Sequence, residues 1–281
     1  MENKTKILII GASSYVGARL YLDLKSKFDA MGTYSSSQLS KNLIHLDITD
    51  LEEVKKVIAE NKPAVIIHVA NNASAKWCDA NPEKAVLLNQ TATQYIVDNA
   101  NKVGAILIYL STMGAIKPSN LYGRTKLKSE EIVKTTKKGY LILRPSLILG
   151  YSSSTTNDRP FNRLLKNLDE GTPAVYDTSW KFQPTYIKHI SDVIETCINK
   201  KILNRSIVIA VPEMKSRYDT AKDILTPFGI KVTPVDAKDA TFEIFEDDLS
   251  ELNELDLQKY SYQEMITAIV DEIKNREKFV I

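Results

Sequence analysis

Through the first half of the chain, short and nearly continuous apolar runs alternate with longer segments whose apolar residues recur at helical spacing. The runs fall at residues 6–10, 30–34, 64–69, 105–110 and 140–149. A strand that is apolar on both sides of its pleat needs cover on both faces, so the pattern predicts a parallel sheet sandwiched between helices. The intervening segments read as those helices. Asp50 is the expected N-cap of LEEVKKVIAENK, in which Leu51, Val54, Val57 and Ile58 make one apolar face and Pro63 follows as a stop. Asn81-Pro82-Glu83 opens another long helix, with Pro82 where its missing N–H is harmless and an acid near the positive end of the helix dipole.

After Leu149 the character changes. YSSSTTNDRP is a polar loop, and no regular alternation follows it. The expected fold class is therefore α/β, a Rossmann-type doubly wound parallel sheet with a smaller C-terminal substrate lobe. Residues 1–150 form the dinucleotide-binding domain and 183–200 return to it, while 151–182 and 201–281 make the lobe. The acid-rich stretch 246–256 reads as a solvated helix face.

Bulk properties narrow the function classes. A chain of 281 residues buries a substantial core without disulfide or metal. Its 37 basic and 35 acidic residues give a net +2, too small for a nucleic-acid footprint. Cys78 and Cys197, the only cysteines, lie far apart and in no ligand spacing, which points to structural thiols in a reducing compartment. His45, His68 and His189 show no metal spacing either and are expected to be structural or at the surface. The first apolar run, Ile7 to Ile10, is too short for a signal peptide, and no run approaches the roughly 20 residues that span a bilayer. A soluble cytoplasmic protein is expected, with no membrane partner.

The candidate chemistry starts at KILIIGASSYVG. Gly11 and Gly17 bracket the turn after the first strand, where a missing side chain lets backbone amides meet a diphosphate at the start of the next helix. Gly11, Ser13, Ser14, Tyr15, Val16 and Gly17 are the expected cradle; an ordinary tight turn is the alternative. Ser14 stands where the three-glycine fingerprint has its middle glycine, and its hydroxyl is a possible phosphate donor. The second strand ends in Thr33, Tyr34, Ser35, Ser36 and Ser37, with Lys41 nearby and no acid for a ribose 2′-hydroxyl. Such residues suit a 2′-phosphate, so NADP is the expected cofactor and NAD the alternative, unless the serines merely form a loop.

Three Tyr-x-x-x-Lys spacings occur, Tyr21/Lys25, Tyr122/Lys126 and Tyr218/Lys222. Residues four apart share a helix face, and a cation beside a phenol stabilises its anion. Only Tyr122 follows a strand ending in hydroxyl residues, AILIYLSTMG, which puts Ser111 and Thr112 at the carboxyl edge, where open α/β sheets bind ligands. Trp180 and Phe182 are either lobe core or a stacking platform for a nucleotide base.

Taken together, the glycine turn, YLST, LYGRTKLKSEE, LILRPSLILG and QPTYIKHISDVI resemble the extended short-chain dehydrogenase/reductase superfamily, and within it the dTDP-4-dehydrorhamnose reductase-like family, over roughly residues 4 to 200. The resemblance implies that Thr112 orients a substrate carbonyl, Tyr122 donates the proton, and Lys126 holds the nicotinamide ribose and lowers the phenol pKa. It further implies adenine contacts from Asp47 and Ile48, a cofactor channel lined by Ala70 and Asn71, and cofactor contacts from Asn89, Ser111 and Arg144. Two departures stand out. Met113 replaces the acid usual after Ser-Thr, and the stretch before Tyr122 is too short for the family's aromatic substrate loop. The expected function is NADP-dependent reduction of a nucleotide-activated 4-keto-6-deoxy sugar by a homodimer pairing through residues 82–100 and 121–137. A sugar-nucleotide epimerase or dehydratase is one alternative, and a non-catalytic dinucleotide-binding regulatory subunit another.

Overall fold

The alternating pattern folds as a sheet covered on both faces. The computed structural model describes residues 4–239 and 246–281. From the N-terminus come β1 (Lys6–Ile10), α1 (Tyr15–Leu24), β2 (Asp29–Tyr34), β3 (Ile44–His45), α2 (Leu51–Asn61) and β4 (Val65–His68). The helices α3 (Ala75–Ala80), α4 (Pro82–Val86) and α5 (Ala92–Val103) follow, the last two joined without a break by a π-helical turn at Leu87–Thr91. Next come β5 (Ile106–Leu110), α6 (Leu121–Val133) and β6 (Tyr140–Pro145). Among the described residues, the remaining strands and α-helices are β7 (Ile148–Leu149), α7 (Pro160–Glu170), β8 (Ala174–Asp177), β9 (Lys181–Phe182), β10 (Thr185–Tyr186), α8 (Ile187–Lys200), β11 (Arg205–Ile209), β12 (Lys215–Ser216), α9 (Arg217–Leu225), β13 (Val232–Val235), α10 (Ser250–Glu254) and α11 (Tyr262–Lys274).

The main sheet has the order β11-β6-β5-β4-β1-β2-β3 and all its pairings are parallel. Along β1 the side chains alternate between two cores. Ile7 and Ile9 join α1 and α8 on one face, and Leu8 and Ile10 join α2 and α5 on the other. Strand order reverses between β1 and β4, and the carboxyl ends of those strands, Gly11 and Ala70, open the crevice where doubly wound sheets take ligands.

Three expectations need correction. The run at 140–149 is two strands, because β7 leaves the sheet after Pro145 and pairs with β10, and the Ser146 amide donates to Thr185 Oγ1 at 2.9 Å. Residues 201–211 are not lobe: β11 extends the main sheet beside β6, with Ile207 and Ile209 in its core. The stretch 246–256 is not wholly solvated, since Leu252 is buried in the same core and Leu249 and Leu255 pack against it. The lobe has a separate core of Phe161, Leu164, Leu165, Ile224, Met265 and Ile269, which reaches Tyr15 at the start of α1. Among the described residues no helix is long and apolar enough to cross a membrane.

Candidate functional site

The glycine turn is built by backbone contacts that tolerate no side chain. Gly11 has φ +92°, and a Cβ there would lie 3.0 Å from the Ala70 backbone. A Cβ at Gly17 would lie 2.0 Å from the Gly11 carbonyl oxygen, so the helix can start this close to the strand only with glycine. The Gly11 amide donates to Thr33 Oγ1 at 3.0 Å, which ties the turn to β2. Ser14 is the N-cap of α1: its hydroxyl oxygen accepts from the Gly17 amide at 3.1 Å and keeps its own proton for another acceptor. The first-turn amides of Tyr15 and Val16 have no partner within the helix. Free amides, a bare glycine corner and the positive end of a ten-residue helix fit a dinucleotide diphosphate.

Around this turn the predicted contacts divide. Ile48 is buried, and the Asp47 carboxylate accepts from Thr49 while the Asp47 amide donates to Glu53. Ser35, Ser36 and Lys41 are exposed, and Tyr34 rests edge-on against His45. Ala70 seats against Gly11, and the Asn71 side-chain amide donates to the Val69 carbonyl at 3.0 Å. The Tyr15 side chain turns away into the lobe, donating to the Gly150 carbonyl at 2.6 Å. The loop after β7 lies on the turn, because Ser152 Oγ donates to the Tyr15 carbonyl and Ser154 Oγ to that of Ser13.

The second half of the site forms where β5 ends. Thr112 is extended and its hydroxyl oxygen accepts from the Gly114 amide. Asn120 caps α6 by accepting from the Gly123 amide at 3.0 Å. A Cβ on Gly123 would lie 2.5 Å from the Gly114 carbonyl oxygen, so this glycine lets α6 press against the turn after Thr112 and brings Tyr122 to it. Burial pushes the Tyr122 phenol up to about 12, and Arg159 and the Thr112 hydroxyl pull it back. The Lys126 ammonium is engaged elsewhere, donating to the Leu110 carbonyl at 2.6 Å and lying 3.9 Å from the centre of the Tyr109 ring. Burial brings it down to about 7 against an opposing pull from Glu130. The structure thus brings Thr112, Tyr122 and Lys126 together, with Lys126 acting on the Leu110 backbone rather than on the phenol.

Three residues expected at the cofactor are occupied by internal bonds. Asn89, fully buried on the π-helical turn, accepts from the Asn72 amide at 2.9 Å and returns a bond to the Asn72 carbonyl, holding the loop after β4. Ser111 Oγ donates to Glu130 at 2.6 Å, and Arg144 forks onto the same carboxylate at 3.0 and 2.5 Å. Glu130, Gly123 and Arg159 are the residues that sequence reasoning missed; the four-residue step from Lys126 to Glu130 was the available signal for the first. His68 and His189 are buried and His45 is exposed, and among the described residues no cluster could hold a metal. Trp180 and Phe182 stack on each other in the lobe interior with Arg217 over the indole, so they are core and not an open platform. The residue after Thr112 is Met113, and its side chain is buried.

Comparison with known proteins adds the family. The model described as RmlD substrate binding domain matches residues 5–274. Among curated proteins, methionine adenosyltransferase 2 subunit beta of Xenopus tropicalis is 27% identical over 216 residues, covering 72% of this chain and 64% of the frog protein. The chain thus spans less than two thirds of that relative's length. Spore coat polysaccharide biosynthesis protein SpsK of Bacillus subtilis (strain 168) is 24% identical over 205 residues, 68% of each chain. Among solved structures, dTDP-4-dehydrorhamnose reductase of Bacillus anthracis str. Ames in complex with NADP superposes with a TM-score of 0.80 at 21% identity, covering 96% of this chain and 99% of that one. That likeness establishes the fold.

Proposed function

The chain belongs to the RmlD substrate binding domain family, and on that premise we propose that it is an NADP-dependent reductase of a nucleotide-activated 4-keto-6-deoxy sugar. The observation that carries the reading is the grouping of Thr112, Tyr122 and Lys126 at the carboxyl edge of the sheet, beside a glycine turn shaped for a diphosphate. Gly11, Ser13, Ser14, Val16 and Gly17 would hold the diphosphate, with Ala70 and Asn71 along the channel. The exposed Ser35, Ser36 and Lys41 favour a 2′-phosphate over a bare ribose. When bound, NADPH supplies the hydride.

The chain's own residues supply position and the proton. Tyr122 retains its proton at neutral pH because burial raises its pKa, the state required to give that proton to a ketone oxygen that is gaining charge. Thr112 donates a hydrogen bond to the same oxygen. The charge of Arg159, felt at the phenol, favours the anion that Tyr122 becomes. In this reading Lys126 behind them holds a ribose hydroxyl and passes on a proton. The homodimer is part of this reading; Val86 and Leu87 leave exposed apolar surface on the helical run it would use.

A second reading, a non-catalytic subunit that binds the dinucleotide and regulates a partner, is favoured by the methionine adenosyltransferase 2 subunit beta relative and by Met113 in place of an acid. One assay separates the two. Purified protein, NADPH and a panel of nucleotide 4-keto-6-deoxy sugars are mixed and the loss of NADPH absorbance is followed. The reductase reading expects consumption by wild type and none by Tyr122→Phe; NADPH binding without turnover on any panel member supports the regulatory reading.

A further inference from the structure

We propose that Glu130 is a positioning residue: its buried carboxylate clamps the helix carrying Tyr122 and Lys126 to the ends of the strands carrying Thr112 and Arg144, and provides the counter-charge for the Lys126 ammonium. The proposal rests on the reductase reading only in taking Tyr122 and Lys126 as the reacting pair.

Glu130 is fully buried, and so is Lys126, one turn earlier on the same face of α6. A carboxylate removed from water is costly unless several donors satisfy it, and this one has three. Ser111 Oγ reaches Oε1 at 2.6 Å, Arg144 Nε reaches the same oxygen at 3.0 Å, and Arg144 Nη2 reaches Oε2 at 2.5 Å. Ser111 is the residue before Thr112, and Lys126 holds the carbonyl of Leu110, the residue before Ser111. Three consecutive residues at the end of β5 are therefore fixed: Leu110 by Lys126, Ser111 by Glu130, and Thr112 between them and the Gly114 amide. If the phenol is to meet a carbonyl that Thr112 orients, α6 and β5 must keep their register, and the Glu130 carboxylate is the link that sets it. An apolar residue would fill the space but leave both Ser111 and Arg144 without an acceptor.

The charges facing Lys126 agree. His68 on β4 and Tyr109 on β5 are buried and neutral beside it, and Tyr122 lies on its own helix with Cys78 of α3 beyond. Arg144 on β6 is turned onto Glu130. Glu130 is thus the negative charge among these neighbours, and it opposes the burial that discharges the lysine.

The test reads the lysine directly in the free protein. With ¹⁵N-lysine labelling, the Nζ signal missing from Lys126→Met is assigned and followed against pH. Wild type is expected to titrate near 7. Glu130→Gln should lower that midpoint by about one pH unit or more, and Arg144→Gln, which leaves the carboxylate unshared, should raise it. A purely structural clamp would lower the melting temperature in both variants and move neither midpoint. If Glu130→Gln does not fold, Arg144→Gln alone decides: an upward shift supports the proposal and an unchanged midpoint overturns it. A midpoint unchanged in a folded Glu130→Gln also overturns it. The pH profile of NADPH consumption is the second arm, its alkaline limb expected to move down with the midpoint in Glu130→Gln. Absence of turnover in wild type would count against the reductase reading while the lysine titration still decides the role of Glu130.

Discussion

Tyr122 shows how a single side chain's surroundings decide what it can do. A phenol pushed up by burial is fully protonated at neutral pH, ready to give a proton and poor at taking one. Tyr122→Phe keeps the ring in its place beside Cys78 and Ala85 and removes only the hydroxyl with its proton, so turnover should fall by about 10²-fold or more. NADPH affinity by fluorescence titration should stay within about twofold, because the phenol is not part of the diphosphate cradle. A second residue-scale prediction concerns pH. Burial and the Lys126 charge bring His68 down to about 3, whereas the unfolded chain takes up the proton near 6.5. This contribution to stability is complete above pH 6.5 and is lost as pH falls toward 3, by about 1.4 kcal/mol per pH unit. His189, brought down to about 4 by burial, acts in the same sense. Between pH 7 and pH 5, urea unfolding should therefore show wild type losing about 2 kcal/mol more than a folded His68→Gln variant; parallel losses would refute it. Thr112, Tyr122 and Lys126 were legible because their spacing is local. Arg159 and the inward turn of Ser111 were not, since each depends on a partner from another element, and Glu130 was signalled only by its four-residue step from Lys126.

The elements repeat the lesson with backbone in place of side chains. The first helix starts where Ser14 caps it, and Gly17 lets it start there at all. Gly17→Ala would put a methyl 2.0 Å from a carbonyl oxygen that cannot rotate away, so the turn must open. Differential scanning calorimetry should show a loss of about 2 kcal/mol or more, with NADPH binding lost as well. Asp50→Ala provides the contrast: it removes two amide bonds at the start of α2, far from the cradle, and should cost about 1 kcal/mol with unchanged NADPH affinity. The positions of β1, β2, β4 and β5 were readable to within a residue because apolar runs dominate there, whereas the two-residue β3 was not predicted. The break after Pro145 was not, since Ile148 and Leu149 are as apolar as the strand they leave, and only their pairing with Thr185 and Tyr186 marks the exit.

Over the whole molecule, a buried carboxylate of the last helix joins the serine bonds and the Tyr15 packing in holding the lobe to the sheet half. Glu272 accepts from Arg19 of α1 at 2.6 Å, from the Tyr151 amide at 2.9 Å and from the Tyr186 hydroxyl at 2.5 Å. Tyr151 begins the loop whose serines bond to the turn, so the C-terminal helix and the cradle share one network. Glu272→Ala should cost about 3 kcal/mol in chemical unfolding, because among the described residues Arg19 then keeps only Asp23 as a charged partner. It should also weaken NADPH binding measured by calorimetry. None of this was visible along the chain, where the partners stand 86 to 253 residues from Glu272 and the lobe lacks the regular alternation that marks a parallel sheet. The same irregularity hid β11, which belongs to the sheet and not to the lobe. If this fold delivers a hydride to a sugar ketone, a labelled hydride must appear in the product. The protein is incubated with NADPH carrying deuterium at the transferable C4 position and a nucleotide 4-keto-6-deoxy sugar, and the product is weighed by mass spectrometry. Product carrying deuterium on the former ketone carbon, with none formed by Tyr122→Phe, is the predicted result; bound NADPH with no deuterium transferred to any sugar tested would contradict it.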